Sequence, residues 1–315
     1  MKHLLPLLLS LQSFAYDIAY DSVYIPMEHD TIFGIVVKPV DYSAVGGMTG
    51  ILCIQGGGNV GLDNYLWEAR RFAEAGYVAL VCDKAGTGLS TGSSYYAYQS
   101  FEEKTREYIR LIRFLKAYPG VNSNHVGIHG LSEGGRLSVN VAAMAPGEVA
   151  FGISVSGPMD SFMINQLYAI EQLLQIQGYS DAINKRTVRV WDTYYSGVAE
   201  GVIDQAIVDS IQVLRDKHAQ LYLPPASTTL PASPVQTDIH FNQIGDFEKI
   251  ECPMLFQFGR EDRRVDAMRS VELIPDSPLF TIQIYDETGH GMVYNGSVHP
   301  NYMSDKLEWL EQHGF

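Results

Sequence analysis

The sequence predicts an α/β protein: a doubly wound, mostly parallel sheet with a helical insertion late in the chain. Three observations point there. Largely apolar runs of strand length (residues 50–54, 77–82, 151–156 and 253–258) alternate with longer segments of helical period. The connections between them are short, as in a compact α/β domain. Between Pro158 and about Thr237 the alternation stops, and only helical periodicity remains.

Taken in order, residues 22–26 and 31–37 are β-branched runs around Glu28-His29-Asp30 and predict an antiparallel pair. Residues 38–49 read as a loop broken by Pro39 and Gly46-Gly47. The strand at 50–54 runs into Gln55-Gly56-Gly57-Gly58. A helix over 63–75, with Leu66, Ala69, Arg70 and Ala73 along one face, closes at Gly76. The strand at 77–82 leads into Asp83-Lys84-Ala85-Gly86-Thr87-Gly88-Leu89-Ser90, a glycine turn. Its third glycine falls at 92, one place too late for a dinucleotide fingerprint. An amphipathic helix spans 101–118, with Tyr108, Ile112 and Leu115 in register and Pro119-Gly120 as its stop. A strand carrying Val126 and Ile128 follows, then a helix over 133–145 and a strand over 151–156.

Within the insertion, three faces recur at helical spacing. Met163, Leu167, Ile170 and Leu174 form one, and Ile183, Thr187, Val190, Trp191 and Tyr194 the next. Ile203, Ile207, Ile211 and Leu214 form the third, before a loop with Pro224, Pro225, Pro231 and Pro234. The aromatic residues Phe162, Tyr168, Tyr179, Trp191, Tyr194, Tyr195 and Tyr222 are expected mostly to form the core of this insertion. The sheet resumes at 253–258, followed by a helix over 265–274, a strand over 279–285 and a helix over 301–312 with Met303, Leu307 and Leu310 inward. The expected domains are a leader (1–15), the first part of the core (16–157), a helical cap (158–237) and the second part of the core (238–315).

Composition narrows the function. With 36 acidic and 22 basic residues the net charge is −14, so the surface would repel nucleic acid and anionic membranes. Met1-Lys2-His3, the apolar run at 4–9 and Ser13-Phe14-Ala15 resemble a secretory signal with a small-x-small cleavage site. The expectation is a secreted or periplasmic protein without stable membrane insertion, the apolar run being too short to span a bilayer. The three cysteines, Cys53, Cys82 and Cys252, sit in or beside apolar runs and are expected as free, buried thiols. No Cys/His spacing suggests zinc, and no cofactor or metal is expected. Oligomeric state leaves no sequence signature.

The chemistry gathers around Gly130-Leu131-Ser132-Glu133-Gly134, a strand, a sharp turn and a helix start. A serine on such a turn projects its hydroxyl above the sheet edge, and small neighbours let strand and helix approach. The helix N-terminus points N–H groups at the same spot, where negative charge can be stabilised. Serine needs a base to act as a nucleophile. Downstream, an acidic segment (Gly259-Arg260-Glu261-Asp262-Arg263-Arg264-Val265) follows one strand and Thr288-Gly289-His290-Gly291 follows the next.

On these motifs the chain resembles the α/β-hydrolases, in particular the serine esterases and peptidases that include dienelactone hydrolases and S9- and S33-type relatives. The resemblance covers nearly all of the chain after the leader, outside the cap. It implies Ser132 as nucleophile, His290 as base and Asp262 as the acid that orients it. Asp262 fits the family's G-x-x-D-x-x-V spacing; Glu261 and Asp266 are its neighbours. His299 is a second candidate base, and His129 is placed to line the oxyanion region. The implied oxyanion hole is made by the N–H of Glu133 with Gly57 or Gly58, where the glycine cluster stands for the family's His-Gly-Gly-Gly loop and Gln55 replaces its His. Arg263 and Arg264 are expected to pair with surface acids. The expected substrate is a small-molecule ester, with a peptide or thioester as alternatives and a ligand-binding protein on the same scaffold as the non-enzymatic one.

Overall fold

The computed structural model describes residues 15–41, 47–92, 100–221, 223–224, 226–227 and 238–315. The leader up to Phe14, Tyr222, Pro225, Pro231 and Pro234 lie outside the described residues. The strands are β1 (Ile18–Pro26), β2 (Thr31–Pro39), β3 (Met48–Ile54), β4 (Val78–Cys82), β5 (Val121–Leu131), β6 (Gly152–Val155), β7 (Met254–Gly259) and β8 (Phe280–Tyr285). They form one sheet in the order β1-β2-β4-β3-β5-β6-β7-β8. β1 pairs antiparallel with β2, and β2 antiparallel with β4; every later pairing is parallel. This is the α/β-hydrolase fold.

Period and burial explain the layers. β4 is buried at all five positions, as a central strand covered on both faces must be. Along β5, Val126 and Ile128 point into the core shared with α2 (Phe101–Ala117) and α3 (Glu133–Met144). Gly127 and His129 alternate to the other face, covered by α1 (Leu66–Glu74) and α8 (Tyr302–Gln312). A Cβ at Gly127 would lie 2.3 Å from the Phe151 ring, so this face of β5 admits no side chain there. Ser100 opens α2 with a full capping box, its hydroxyl accepting from Glu103 N while Glu103 reaches back to Ser100 N.

Two helix faces carry buried charges that the apolar pattern did not mark. In α1 the inward residues are Glu68, Ala69, Phe72 and Ala73, and Arg70 is exposed. In α8 the buried residues are Tyr302, Lys306, Trp309 and Leu310, and the half-buried Met303 and Leu307 pack on the same core as expected. The reason is an ion pair: Glu68 and Lys306 are fully buried and bond to each other, so charged residues occupy stripes that an apolar pattern would fill. A short hairpin, β9 (Val293–Tyr294) with β10 (Ser297–Val298), was not expected.

Between β6 and β7 lie α4 (Phe162–Ile176), α5 (Asp181–Glu200) and α6 (Gln205–Lys217). They share a separate core of Ile170, Leu174, Trp191, Tyr194, Val198 and Ile211. Tyr168 instead turns its hydroxyl to the Asp262 carbonyl, and Phe162 lines a cavity above the sheet. The helix α7 (Ala267–Leu273) contributes Ala267 to the core that α3 also lines, its start capped by Asp266.

Candidate active site

The turn between β5 and α3 forces Ser132 to φ 57° and ψ −116°. A positive φ is costly for a non-glycine residue, about 1–3 kcal/mol, and persists only where surroundings hold it. Here the holders are glycines. A Cβ at Gly130 would lie 1.9 Å from the Gly134 carbonyl oxygen, and one at Gly134 would lie 2.5 Å from that of Ile54. Strand and helix therefore pack backbone to backbone. Ser132 N donates to Val155 O at 2.8 Å, fixing the turn to β6.

Asp262 and His290 come together across the ends of β7 and β8. His290 Nδ1 lies 2.8 Å from Asp262 Oδ2, and the carboxylate is 2 % exposed. The other oxygen, Oδ1, accepts from the N–H groups of Arg264 (2.7 Å) and Val265 (2.9 Å). The carboxylate is thus fixed at both oxygens, and Nε2 is the imidazole nitrogen left for substrate chemistry. Gly291 N donates to Ser156 Oγ at 3.3 Å, which anchors the histidine loop to the end of β6. Ser132 and His290 line one cavity of about 400 Å³. No hydrogen bond joins them among the described residues; such bonds commonly tighten only when substrate is bound.

Glu261 and Asp266 are otherwise engaged. Glu261 faces Arg263 at 3.6 Å, and Asp266 caps α7 by accepting from Arg269 N. His299 Nδ1 accepts from Asn301 N, and its ring packs on Tyr285 and Tyr294. His129 is not at the oxyanion region. It is fully buried between sheet and helices, within hydrogen-bond reach of Tyr65 (3.1 Å) and Lys306 (2.9 Å). The strand alternation that sends Ile128 one way sends His129 the other, away from the cavity.

The glycine loop after β3 adjoins the turn. A Cβ at Gly56 would lie 3.4 Å from Ser132 Cβ, and one at Gly57 would lie 3.4 Å from Glu133 Oε2. Gly57, Gly58 and Glu133 all line the cavity, and the Glu133 N–H, at the first position of α3, has no intrahelical acceptor. Two buried side chains hold this loop. Gln55 Nε2 donates to Cys82 O at 2.5 Å, tying the ends of β3 and β4. Lys84 Nζ donates to the carbonyls of Gly56 and Gly58, the latter at 3.0 Å. Burial pushes the Lys84 ammonium down to about 8. Burial alone would raise Glu133, but Lys104 (3.5 Å away) and Lys84 outweigh it and hold its carboxyl below the usual range.

Sequence reasoning gave Lys84 and Ser156 no role and placed Tyr168 with the aromatics of the insertion. Lys84 carried a signal, a cation inside the turn that follows the strand beside the glycine loop. Ser156 and Tyr168 act across contacts of 135 and 94 residues, which no local pattern encodes. The three cysteines are free and buried, and burial pushes the Cys252 thiol up to about 12. Among the described residues no group of three His, Cys, Asp or Glu could hold a metal, and no helix is long and apolar enough to cross a membrane.

Fold and motif define an α/β-type hydrolase. The chain belongs to the family described as serine aminopeptidase, S33, whose model matches residues 47–296. No curated protein sequence is similar enough to count as a match. Among solved structures it is similar to the α/β hydrolase GrgF from Penicillium sp. sh18, with 16% identity over 94% of this chain and 99% of that one and a TM-score of 0.61. It is also similar to the esterase Pf2001 of Pyrococcus furiosus, with 15% identity over 94% and 90% of the two chains and a TM-score of 0.58. A protein of Thermoplasma acidophilum described as a predicted CIB-like hydrolase shares 12% identity over 94% and 100%, with a TM-score of 0.53. At these identities the likeness concerns the fold.

Proposed function

We propose that this protein is a serine hydrolase that cleaves a carboxylic ester of a small or medium-sized substrate through Ser132, His290 and Asp262. The observation that carries the reading is the 2.8 Å His290–Asp262 contact at the rim of the cavity that holds the strained Ser132. Ser132 Oγ bonds to the carbonyl carbon as His290 Nε2 takes its proton. The carbonyl oxygen becomes an oxyanion facing the N–H groups of Glu133 and Gly57 or Gly58. The carbon–oxygen bond to the alcohol then breaks, and His290 returns the proton to the leaving oxygen. Water, deprotonated by His290, attacks the acyl-enzyme, and the acid leaves as Ser132 recovers its proton.

An ester is preferred because its alkoxide leaves more readily than an amine. A second reading, aminopeptidase, draws on the family description and on the Glu133 carboxylate in the cavity wall, where a substrate ammonium would need an anion. Lys104 already faces that carboxylate, which weakens this reading. The test is release of p-nitrophenol from acyl esters of rising chain length, beside amino-acid p-nitroanilides. The expected result is ester turnover that falls about a thousandfold or more in Ser132→Ala, with an unchanged melting temperature. Anilide turnover without ester turnover would move the assignment to the peptidase, and ester turnover that survives Ser132→Ala would overturn both.

A further inference from the structure

We propose that Arg264 anchors an anionic group, a carboxylate in its simplest form, on the ester that this site cleaves; the proposal builds on the serine-hydrolase reading above. Three charged side chains line the cavity beside Ser132: Glu133, Arg136 and Arg264. Two of them are committed to the protein. Glu133 is nearly buried and faces Lys104 at 3.5 Å. Arg136 is 2 % exposed and donates to the carbonyls of Phe241 (3.0 Å) and Asp160 (2.7 Å), with its guanidinium over the Phe101 ring.

Arg264 differs. Its backbone N–H goes to Asp262 Oδ1, but among the described residues its guanidinium has no carboxylate partner. Neighbouring arginines all have one: Arg260 pairs with Asp286 at 2.5 Å, Arg263 with Glu261 at 3.6 Å and Arg269 with Asp160 at 3.1 Å. The expectation that Arg264 pairs with a surface acid therefore fails. In a chain with 36 acids to 22 bases, an arginine without an acid partner that lines the nucleophile's cavity stands out.

The lining of the cavity offers the same ligand neutral donors as well. Asn165 and Gln166 of α4 line it and bring amide donors. α4 is held against the acid loop by the Tyr168 hydroxyl, which donates to Asp262 O at 2.8 Å, and by Arg263 Nη1, which donates to Gln172 Oε1 at 2.6 Å. A guanidinium binds a carboxylate through two parallel hydrogen bonds, fixing its orientation as well as its charge. Because Arg264 is tied through its own N–H to the carboxylate that orients His290, a ligand anchored there is in register with the base. The overall net charge of −14 would disfavour a polyanion. A single anionic group responds mainly to charges within a Debye length of about 8 Å, and Arg264 lines the cavity that would hold it.

Matched ester pairs test the idea: p-nitrophenyl hemiglutarate against p-nitrophenyl valerate for an anion on the acyl side, and 3-carboxyphenyl butyrate against phenyl butyrate for one on the alcohol side. In one series the wild-type kcat/KM is expected to favour the anionic ester by about tenfold, the factor that 1.4 kcal/mol of charge-assisted hydrogen bonding gives. The preference should lie in KM and shrink with added salt. Arg264→Gln should bring the ratio to about one, Arg264→Lys should retain part of it, and Arg264→Glu should invert it in favour of a cationic ester such as butyrylcholine. Wild-type protein that hydrolyses both members of both pairs equally, or a preference untouched by Arg264→Glu, would overturn the inference while leaving the hydrolase reading intact. Calorimetric titration of Ser132→Ala protein with monomethyl glutarate reads the anchor without turnover. Saturable binding lost on adding Arg264→Gln supports it, and no binding, or equal binding by both proteins, overturns it.

Discussion

Ser132 sits in a backbone conformation that no serine adopts freely, and its neighbours explain how it is held there. Gly130 and Gly134 allow the close approach, and Ser132 N is tied to β6. This residue was readable in the sequence because its requirements are local: glycines two places either side of a serine at a strand-to-helix junction. Asp262 and His290 were readable for a similar reason, each following an apolar strand. Lys84 is the residue whose role emerged only in three dimensions. It grips two carbonyls of the glycine loop, so in the proposed mechanism it would position the oxyanion N–H groups from outside the cavity lining. In Lys84→Met, kcat is expected to fall about tenfold with little change in KM, less than the hundredfold or more that loss of an oxyanion donor itself costs. A rise in KM at constant kcat would place Lys84 in substrate binding instead.

At the scale of elements, α1, β5 and α8 are joined by a buried charged cluster. Glu68 bonds to Lys306 and Tyr302, and Lys306 and Tyr65 contact the two nitrogens of His129. Nε2 faces both Lys306 Nζ at 2.9 Å and Glu68 Oε1 at 3.1 Å, while Nδ1 faces the Tyr65 hydroxyl at 3.1 Å. Burial, and then Lys306, push His129 down to about 4. Burial would raise Glu68, but Lys306 and His129 outweigh it and bring it to about 2. Both groups therefore take up protons more readily in the unfolded chain, so stability is lost as pH falls. His129 accounts for the window from about 6.5 to 4, and Glu68 for that from about 4.5 to 2. Urea unfolding at pH 7 and pH 4.5 should show a smaller acid loss in His129→Gln than in wild type. Parallel losses would remove His129 from the account. Apolar periodicity located α1 and α8 and most of their apolar inward residues, Ala69, Ala73 and Leu310 among them, but not Glu68 and Lys306, which are 238 positions apart and each tolerable inside only with the other. Helix existence is a local property; the identity of a buried pair is not.

The whole molecule joins an eight-stranded sheet to three helices that arise between β6 and β7. The change of rhythm after residue 157 was legible because helical and strand periods differ. That Tyr168 would leave the helical core to bond the acid loop was not. The leader reading belongs to this scale too: we propose export with cleavage after Ala15, and mass spectrometry of protein recovered from its native host should find Tyr16 as the first residue. An intact Met1 would contradict export. The central claim, that this fold presents an activated Ser132, is tested most directly with a fluorophosphonate probe, which needs no knowledge of the substrate. The expected result is one phosphonyl adduct per chain, mapped by mass spectrometry to Ser132 and slowed by a hundredfold or so in His290→Ala. No adduct, or an adduct at Ser132 formed equally fast without His290, would contradict the account.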